Sequence, residues 1–173
     1  MKPPVRILSL SLAAAALIQS ACNKSEPGGG KPSSGAAVTE TVGTDGVRTI
    51  KLTGGDTMLY NVKEIAATPG EKLNIELTNI GALPKVAMSH NWVLLKPMSD
   101  AEISTFAAAA SAKPTEFMPD DLSKVITHTN MLGPGEKATL AFTAPTEAGN
   151  YPYICTFPGH FALMRGVLIV KAR

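Results

Sequence analysis

From Val47 to Val170, apolar and polar positions alternate in short runs, each closed by a turn signal. Val47 to Leu52 is the first run. Leu73, Ile75 and Leu77 alternate inside Lys72 to Asn79, after the turn Thr68-Pro69-Gly70-Glu71. Trp92 and Leu94 alternate with Val93 and Leu95 in the next strand. Val125 to Thr129, Ala138 to Phe142, Asn150 to Cys155 and Val167 to Val170 continue the series, with turns at Gly133-Pro134-Gly135 and Glu147-Ala148-Gly149-Asn150. A period of two sends successive side chains to opposite faces of a strand. Many short strands at this spacing predict an all-β sandwich or barrel. One stretch departs from the pattern. Asp100 to Lys113 holds Ala101, Ala107 to Ala110 and Ala112, all strong helix formers. Asp100 serves as N-cap, Lys113 falls in the last turn and Pro114 stops the helix. It reads as one short helix in a flap between two strands, there for packing rather than for a partner.

The ends of the chain read differently. Lys2 and Arg6 precede an apolar run from Ile7 to Ile18, shorter than the roughly 20 residues a membrane span needs. Ser20-Ala21-Cys22 closes residues 1–21 as an export signal. It resembles a bacterial lipoprotein signal, in which the cysteine is lipidated and begins the mature chain. Residues 22–45 are rich in Gly, Ser, Pro and Lys and offer nothing to bury, which is a tether composition. Residues 46–173 form one domain with enough chain for a single core. Loss of the leader takes the 16 basic side chains down by two, level with the 14 acidic ones. A balanced charge without a Lys/Arg run argues against nucleic-acid binding.

With Cys22 used at the leader, Cys155 has no disulfide partner, and an unpaired exported thiol needs a reason. Cys155 lies in Tyr153-Ile154-Cys155-Thr156-Phe157-Pro158-Gly159-His160-Phe161-Ala162-Leu163-Met164. Pro158-Gly159 forces a tight turn, so that thiol, imidazole and thioether can converge. A second imidazole stands upstream in Met88-Ser89-His90-Asn91-Trp92. Two His, one Cys and a distant Met are the ligand set of a blue-copper electron-transfer site. The alternative for a lone cysteine is a buried small hydrophobe.

These stretches, with Asp120-Asp121 through Val125-Ile126-Thr127-His128-Thr129 and Gly135-Glu136-Lys137, resemble azurins, of the cupredoxin (blue copper) family. The resemblance runs from about Gly54 onward. It implies an eight-stranded Greek-key β-sandwich and one copper ion near one end. By position, His90, Cys155 and His160 would be the strong ligands and Met164 the weak axial sulfur. The backbone carbonyl of Ser89, where azurins have glycine, would face the metal from the other side. It further implies that the amides of Asn91 and Phe157 donate to the Cys155 sulfur. The Asn91 side chain would join the two ligand-bearing segments. One edge of the His160 ring would reach the surface inside an apolar docking patch of Leu83, Pro84, Met88, Pro158 and Phe161. The disulfide usual near the N-terminal end of azurins has no cysteines here. His128 reads as a solvated strand residue and Trp92 as core.

The expected function is one-electron transport between redox proteins such as cytochromes or a terminal reductase. The expected place is the periplasm or outer surface of a bacterium, with a lipid on Cys22 as anchor. The alternative is a copper delivery or storage protein. A surface interaction or adhesion domain that uses the sandwich alone is a third reading. Catalysis is not expected, because no ligand position is open to a substrate and three His are too few for a multicopper centre.

Overall fold

Apolar side chains at every second position of a strand need a facing layer, and here two sheets supply it for each other. In the computed structural model, which describes residues 39–172, nine strands and one α-helix are present among the described residues. One sheet has the order β1-β2-β4-β7, formed by Glu40–Val42, Arg48–Gly54, Lys72–Asn79 and Lys137–Thr143. The other has the order β3-β9-β8-β5-β6, formed by Glu64–Ala67, Arg165–Val170, Gly149–Ile154, Val93–Leu95 and Val125–His128. Crossing connections make β2 parallel to β4 and β3 parallel to β9. The expected export signal and most of the expected tether lie outside the described residues.

The main core sits between the sheets. Ile50 and Leu52 of β2 and Leu73, Ile75 and Leu77 of β4 point in from one side. Ile65, Tyr151, Tyr153, Leu168 and Val170 answer from the other. The polar residues between them, such as Asn74 and Glu76, face outward. Strand β5 is apolar on both faces for a reason. Leu94 enters the main core, while Val93 and Leu95 turn outward beneath α1 (Asp100–Ser111). There they meet Ile103, Phe106 and Ala107. Burying three such helix side chains is worth roughly 1.5–3 kcal/mol for each large one, enough to hold a helix this short on the sheet.

Three local expectations shift. The helix N-cap is Ser99, not Asp100. The Ser99 side chain accepts from the Glu102 amide, and the Glu102 carboxylate accepts from the Ser99 amide at 2.8 Å, which is a capping box. Asp100 is the first helical residue, and its carboxylate meets Arg165 at 2.5 Å. Strand β3 lies where no strand is expected, since Glu64-Ile65-Ala66-Ala67 carries only one strongly apolar side chain. Strand β1 begins at Glu40, six residues ahead of the expected domain start, and pairs with Arg48 to Ile50. The nine strands thus exceed the expected eight, and the sandwich itself is as expected.

At the end where β1 enters, one arginine joins four segments. Arg48 of β2 donates to Glu40 on β1 at 2.9 Å and to Glu71 ahead of β4 at 2.8 Å. It also donates to the Ala66 carbonyl on β3, in the opposite sheet. Glu71 in turn receives the Thr68 amide at 2.8 Å. Burial opposes the Glu71 charge, but Arg48 and the Thr68 amide outweigh it and lower the carboxyl below its ordinary 4.5. The sign follows. A carboxyl lowered in the folded state stabilises the fold above its unfolded value, and that contribution disappears as pH falls through the folded value. Arg48→Met is therefore expected to cost about 1.5–3 kcal/mol at neutral pH, the scale of hydrogen bonds to charged groups. Its stability should also fall less steeply than wild type as the pH drops from 4.5. Urea unfolding across that range checks this, and an unchanged midpoint and pH slope would sink it.

Candidate metal centre

Cys155 is the first residue after β8, and Met164 the last before β9. The turn between them is held from within. The Cys155 amide donates to the Met164 carbonyl at 2.9 Å, and the His160 amide to the Phe157 carbonyl at 3.0 Å. Gly159 has φ 81°, a left-handed conformation that glycine adopts without steric cost. It starts a short 3-10 turn, His160–Ala162, which directs the imidazole inward. His90 comes from elsewhere in the chain. It forms an isolated bridge with Leu132, with amide-to-carbonyl distances of 3.0 and 2.8 Å, just ahead of β5.

These placements bring three donors together. The Cys155 Sγ lies 4.0 Å from His90 Nδ1 and 3.6 Å from His160 Nδ1. All three ligand atoms are within 4.8 Å of one another, and all three residues are buried. The Ser89 carbonyl oxygen lies 3.8 Å from Sγ. The Ser89 hydroxyl instead donates to the Lys85 carbonyl, so serine keeps the carbonyl on the site and its side chain off it. Met164 is fully buried. A Cβ placed on Gly54 would stand 2.2 Å from Met164 Cε and 3.3 Å from the His90 ring. The bare backbone of Gly54 therefore makes the room in which thioether and imidazole sit side by side.

Electrostatics keep the pocket uncharged when empty of metal. Burial pushes the Cys155 thiol up to about 12, although the amides of Asn91 and Phe157 favour its thiolate. Burial, helped by the neighbouring His90, takes His160 down to about 4. His90 is lowered too, again by burial, against the smaller effects of the Gly55 backbone and Asp56. Its Nε2 has no partner at full hydrogen-bond geometry, with the Gly55 group near enough only to favour the proton. Both rings are thus neutral at neutral pH, as metal binding requires. A soft sulfur, two imidazoles and a thioether in a dry pocket fit copper better than any hard cation.

Asn91 ties the two ligand segments. Its Nδ2 donates to Thr156 Oγ1 at 2.8 Å, and its Oδ1 accepts from the Thr156 amide at 2.9 Å. The Tyr60 hydroxyl donates to the Asn91 carbonyl. Sequence reasoning missed Tyr60 and Gly54. Their contacts cross the fold, and only the glycine at the end of β2 hinted at a close approach.

The expected apolar patch is present in part. Leu83 is 44% exposed, Pro158 is exposed and Met88 is half-buried. Val86, at 90% exposure, belongs with them and was not anticipated. Phe161 is half-buried, as Met88 is. A 3-10 turn rotates successive side chains by a third of a turn. With His160 facing the pocket, part of Phe161 packs against the cluster beneath α1. His160 keeps only 3% of its surface, so at most a ring edge meets solvent. His128 is half-buried on β6, with Nδ1 3.1 Å from the Thr129 carbonyl, and stands outside the three-donor cluster. Trp92 is fully buried in the core, with its indole N–H unpartnered.

Comparison with known proteins agrees with this geometry. Residues 48–171 match the family model described as copper binding proteins, plastocyanin/azurin family. An azurin of Pseudomonas chlororaphis is 40% identical over 119 residues, which cover 67% of this chain and 92% of that protein. Azurin iso-2 of Methylomonas sp. strain J is 35% identical over 120 residues, 68% of this chain and 92% of its own. Among solved structures, auracyanin A, a "blue" copper protein of Chloroflexus aurantiacus, superposes with a TM-score of 0.66 at 35% identity. That match covers 73% of this chain and 100% of the other.

Gly54→Ala tests the cradle. Overpacking of a tight site costs about 1–3 kcal/mol. The substitution should lower the melting temperature and weaken copper uptake in a titration followed by spectroscopy. Uptake equal to wild type would show that Met164 and His90 do not depend on that space.

Proposed function

The chain belongs to the plastocyanin/azurin family of copper-binding proteins, and we propose that it is a one-electron carrier rather than an enzyme. Its cofactor is one copper ion. In this reading His90, Cys155 and His160 would hold the ion through Nδ1, Sγ and Nδ1, with the Met164 thioether and the Ser89 carbonyl as weaker contacts. Bound copper supplies reversible one-electron chemistry between Cu(II) and Cu(I). The single observation that carries the reading is the buried sulfur–imidazole–imidazole cluster.

The residues of the chain do the remaining work. The Asn91–Thr156 pair fixes Cys155 relative to His90, so neither segment needs to move when charge changes. Little reorganisation is the condition for fast transfer, and donors held by strands and a short packed loop meet it. Trp92, Leu94, Met131 and Leu132, which share the main core with Cys155 and Met164, exclude water. The amides of Asn91 and Phe157 stabilise negative charge on the sulfur, and such contacts tune a metal's potential.

Docking falls to the exposed apolar residues at the same end. Asp56 steadies the loop that carries them by accepting the Ala82 and Leu83 amides at 3.0 and 3.4 Å. Leu83 and Val86 are exposed in the segment ahead of His90, and Pro158 is exposed in the turn ahead of His160; the two imidazole ring centres are 5.1 Å apart. Transient redox encounters bury less than about 1,200 Å², and a patch of a few apolar residues suits that. The partners in this proposal are redox proteins such as cytochromes or a terminal reductase. The export-signal pattern supports a place outside the cytoplasm with a lipid on Cys22, on the periplasmic side or outer surface.

Two measurements test this. The Cu(II)-loaded protein should show an intense band in the red part of the visible spectrum, abolished in Cys155→Ser. A colourless loaded wild type would refute the carrier reading. Leu83→Glu should keep that band while slowing electron exchange with a cytochrome by about tenfold, the effect of ~1.4 kcal/mol at the encounter. An unchanged rate would move docking to another face.

A further inference from the structure

The segment between α1 and β6 supplies none of the three donors, yet two consecutive side chains in it reach the residues around the sulfur. Phe117 has φ 48°. For a bulky residue this left-handed conformation is an outlier, and it persists only where the surroundings over-determine it. The backbone is pinned nearby. The Phe117 amide donates to the Lys113 carbonyl at 2.8 Å, and the Lys113 ammonium meets Asp120 at 2.5 Å. A turn alone would be better served by Asn or Gly, which accept positive φ. The conformation instead aims a ring at the ligand loop. Phe117 stands edge-on to Phe157, with centroids 5.1 Å apart and planes at 61°, and Phe157 lies 4.6 Å from the His160 ring.

The next residue turns to the other side of the same site. The Met118 thioether sulfur is 4.0 Å from Asn91 Nδ2 and 3.9 Å from Thr156 Oγ1, a weak acceptor facing both members of the clamp. Asn91 and Phe157 are the two residues whose amides favour the Cys155 thiolate. Phe117 bears on one and Met118 on the other.

We infer that Phe117 and Met118 are positioning residues for the Cys155 sulfur. They hold Phe157 and Asn91, and with them both amide donors, so the α1–β6 segment sets the redox potential of the centre without contacting it. The redox part rests on the copper reading above, and the packing part concerns the metal-free chain as well.

The test uses Phe117→Asn, which accepts the left-handed backbone but removes the ring, and Met118→Leu, which keeps the volume but removes the sulfur acceptor. Val170→Ala, a core truncation at the far end of β9, is the stability control. In the metal-free full chain, the rate of Cys155 modification by an aromatic disulfide reagent should rise in Phe117→Asn. A rise of about two- to tenfold corresponds to one lost aromatic pair. In the copper-loaded chain both site variants should keep the visible band while shifting the reduction potential. Val170→Ala should lower the melting temperature and leave the potential in place. The inference is overturned if neither site variant moves thiol rate or potential, or if Val170→Ala moves both as much. A loaded wild type without the visible band would defeat the copper reading instead, and the thiol rates alone would then decide the packing part.

Discussion

Two hydrogen bonds between Asn91 and Thr156 decide whether this chain has a site at all. They join segments 65 residues apart in sequence, one carrying Ser89 and His90, the other carrying Cys155, His160 and Met164. Both bonds are buried, and a buried amide left without partners costs about 1–3 kcal/mol. The pair is therefore all or nothing: either both strands sit in register or both side chains are stranded. Everything around it follows the same logic. The Tyr60 hydroxyl takes the Asn91 carbonyl, the His90–Leu132 bridge fixes the backbone just before it, and Gly54 leaves space where the two segments meet.

The two ends of the sandwich are held by different physics. At the entry of β1, a partly exposed arginine gathers two carboxylates and a carbonyl, and that end feels salt and acid. Around the three donors, contacts are buried and mostly neutral, so screening touches them less. A resident metal suits the second arrangement. Burial raises the Cys155 thiol and lowers both imidazoles, which keeps an empty pocket uncharged and costs the fold little. The stability of the scaffold and the electrostatics of the site are in this way separated along the long axis of the strands.

Much of this was visible in the chain. Leu73, Ile75 and Leu77 alternate so cleanly that β4 could be bounded to the residue. The ligand quartet was legible because three of its members are local, and their spacing, with Pro158-Gly159 between, leaves few geometries. Strand β3 was not legible. Ala66 and Ala67 favour helix as readily as strand, and pairing with β9 decides the matter through tertiary contact. Ser99 lost to Asp100 as the cap because both residues cap well, although Glu102 three positions on was the distinguishing sign. The packing of Phe161 against the α1 cluster was not legible either, because its direction depends on a 3-10 turn that no periodicity announces. Phe117 and Met118 were invisible for a plainer reason. Their partners lie 27 and 38 residues from Met118 and farther still from Phe117, and nothing in a single sequence reports a ring edge or a thioether across such gaps.

The separation of His90 from Cys155 also bears on timing. Contacts at long sequence separation form late, because loop closure must come before any gain. Here the last strand, β9, has to dock beside both β8 and β3 before Met164 and Cys155 face the histidine from the other segment. A half-folded chain, or one clipped ahead of Arg165, carries scattered donors and no pocket. In such a chain the Cys155 thiol lacks the burial that raises it in the folded state, so the shielding of the sulfur is complete only when the last strand is in place.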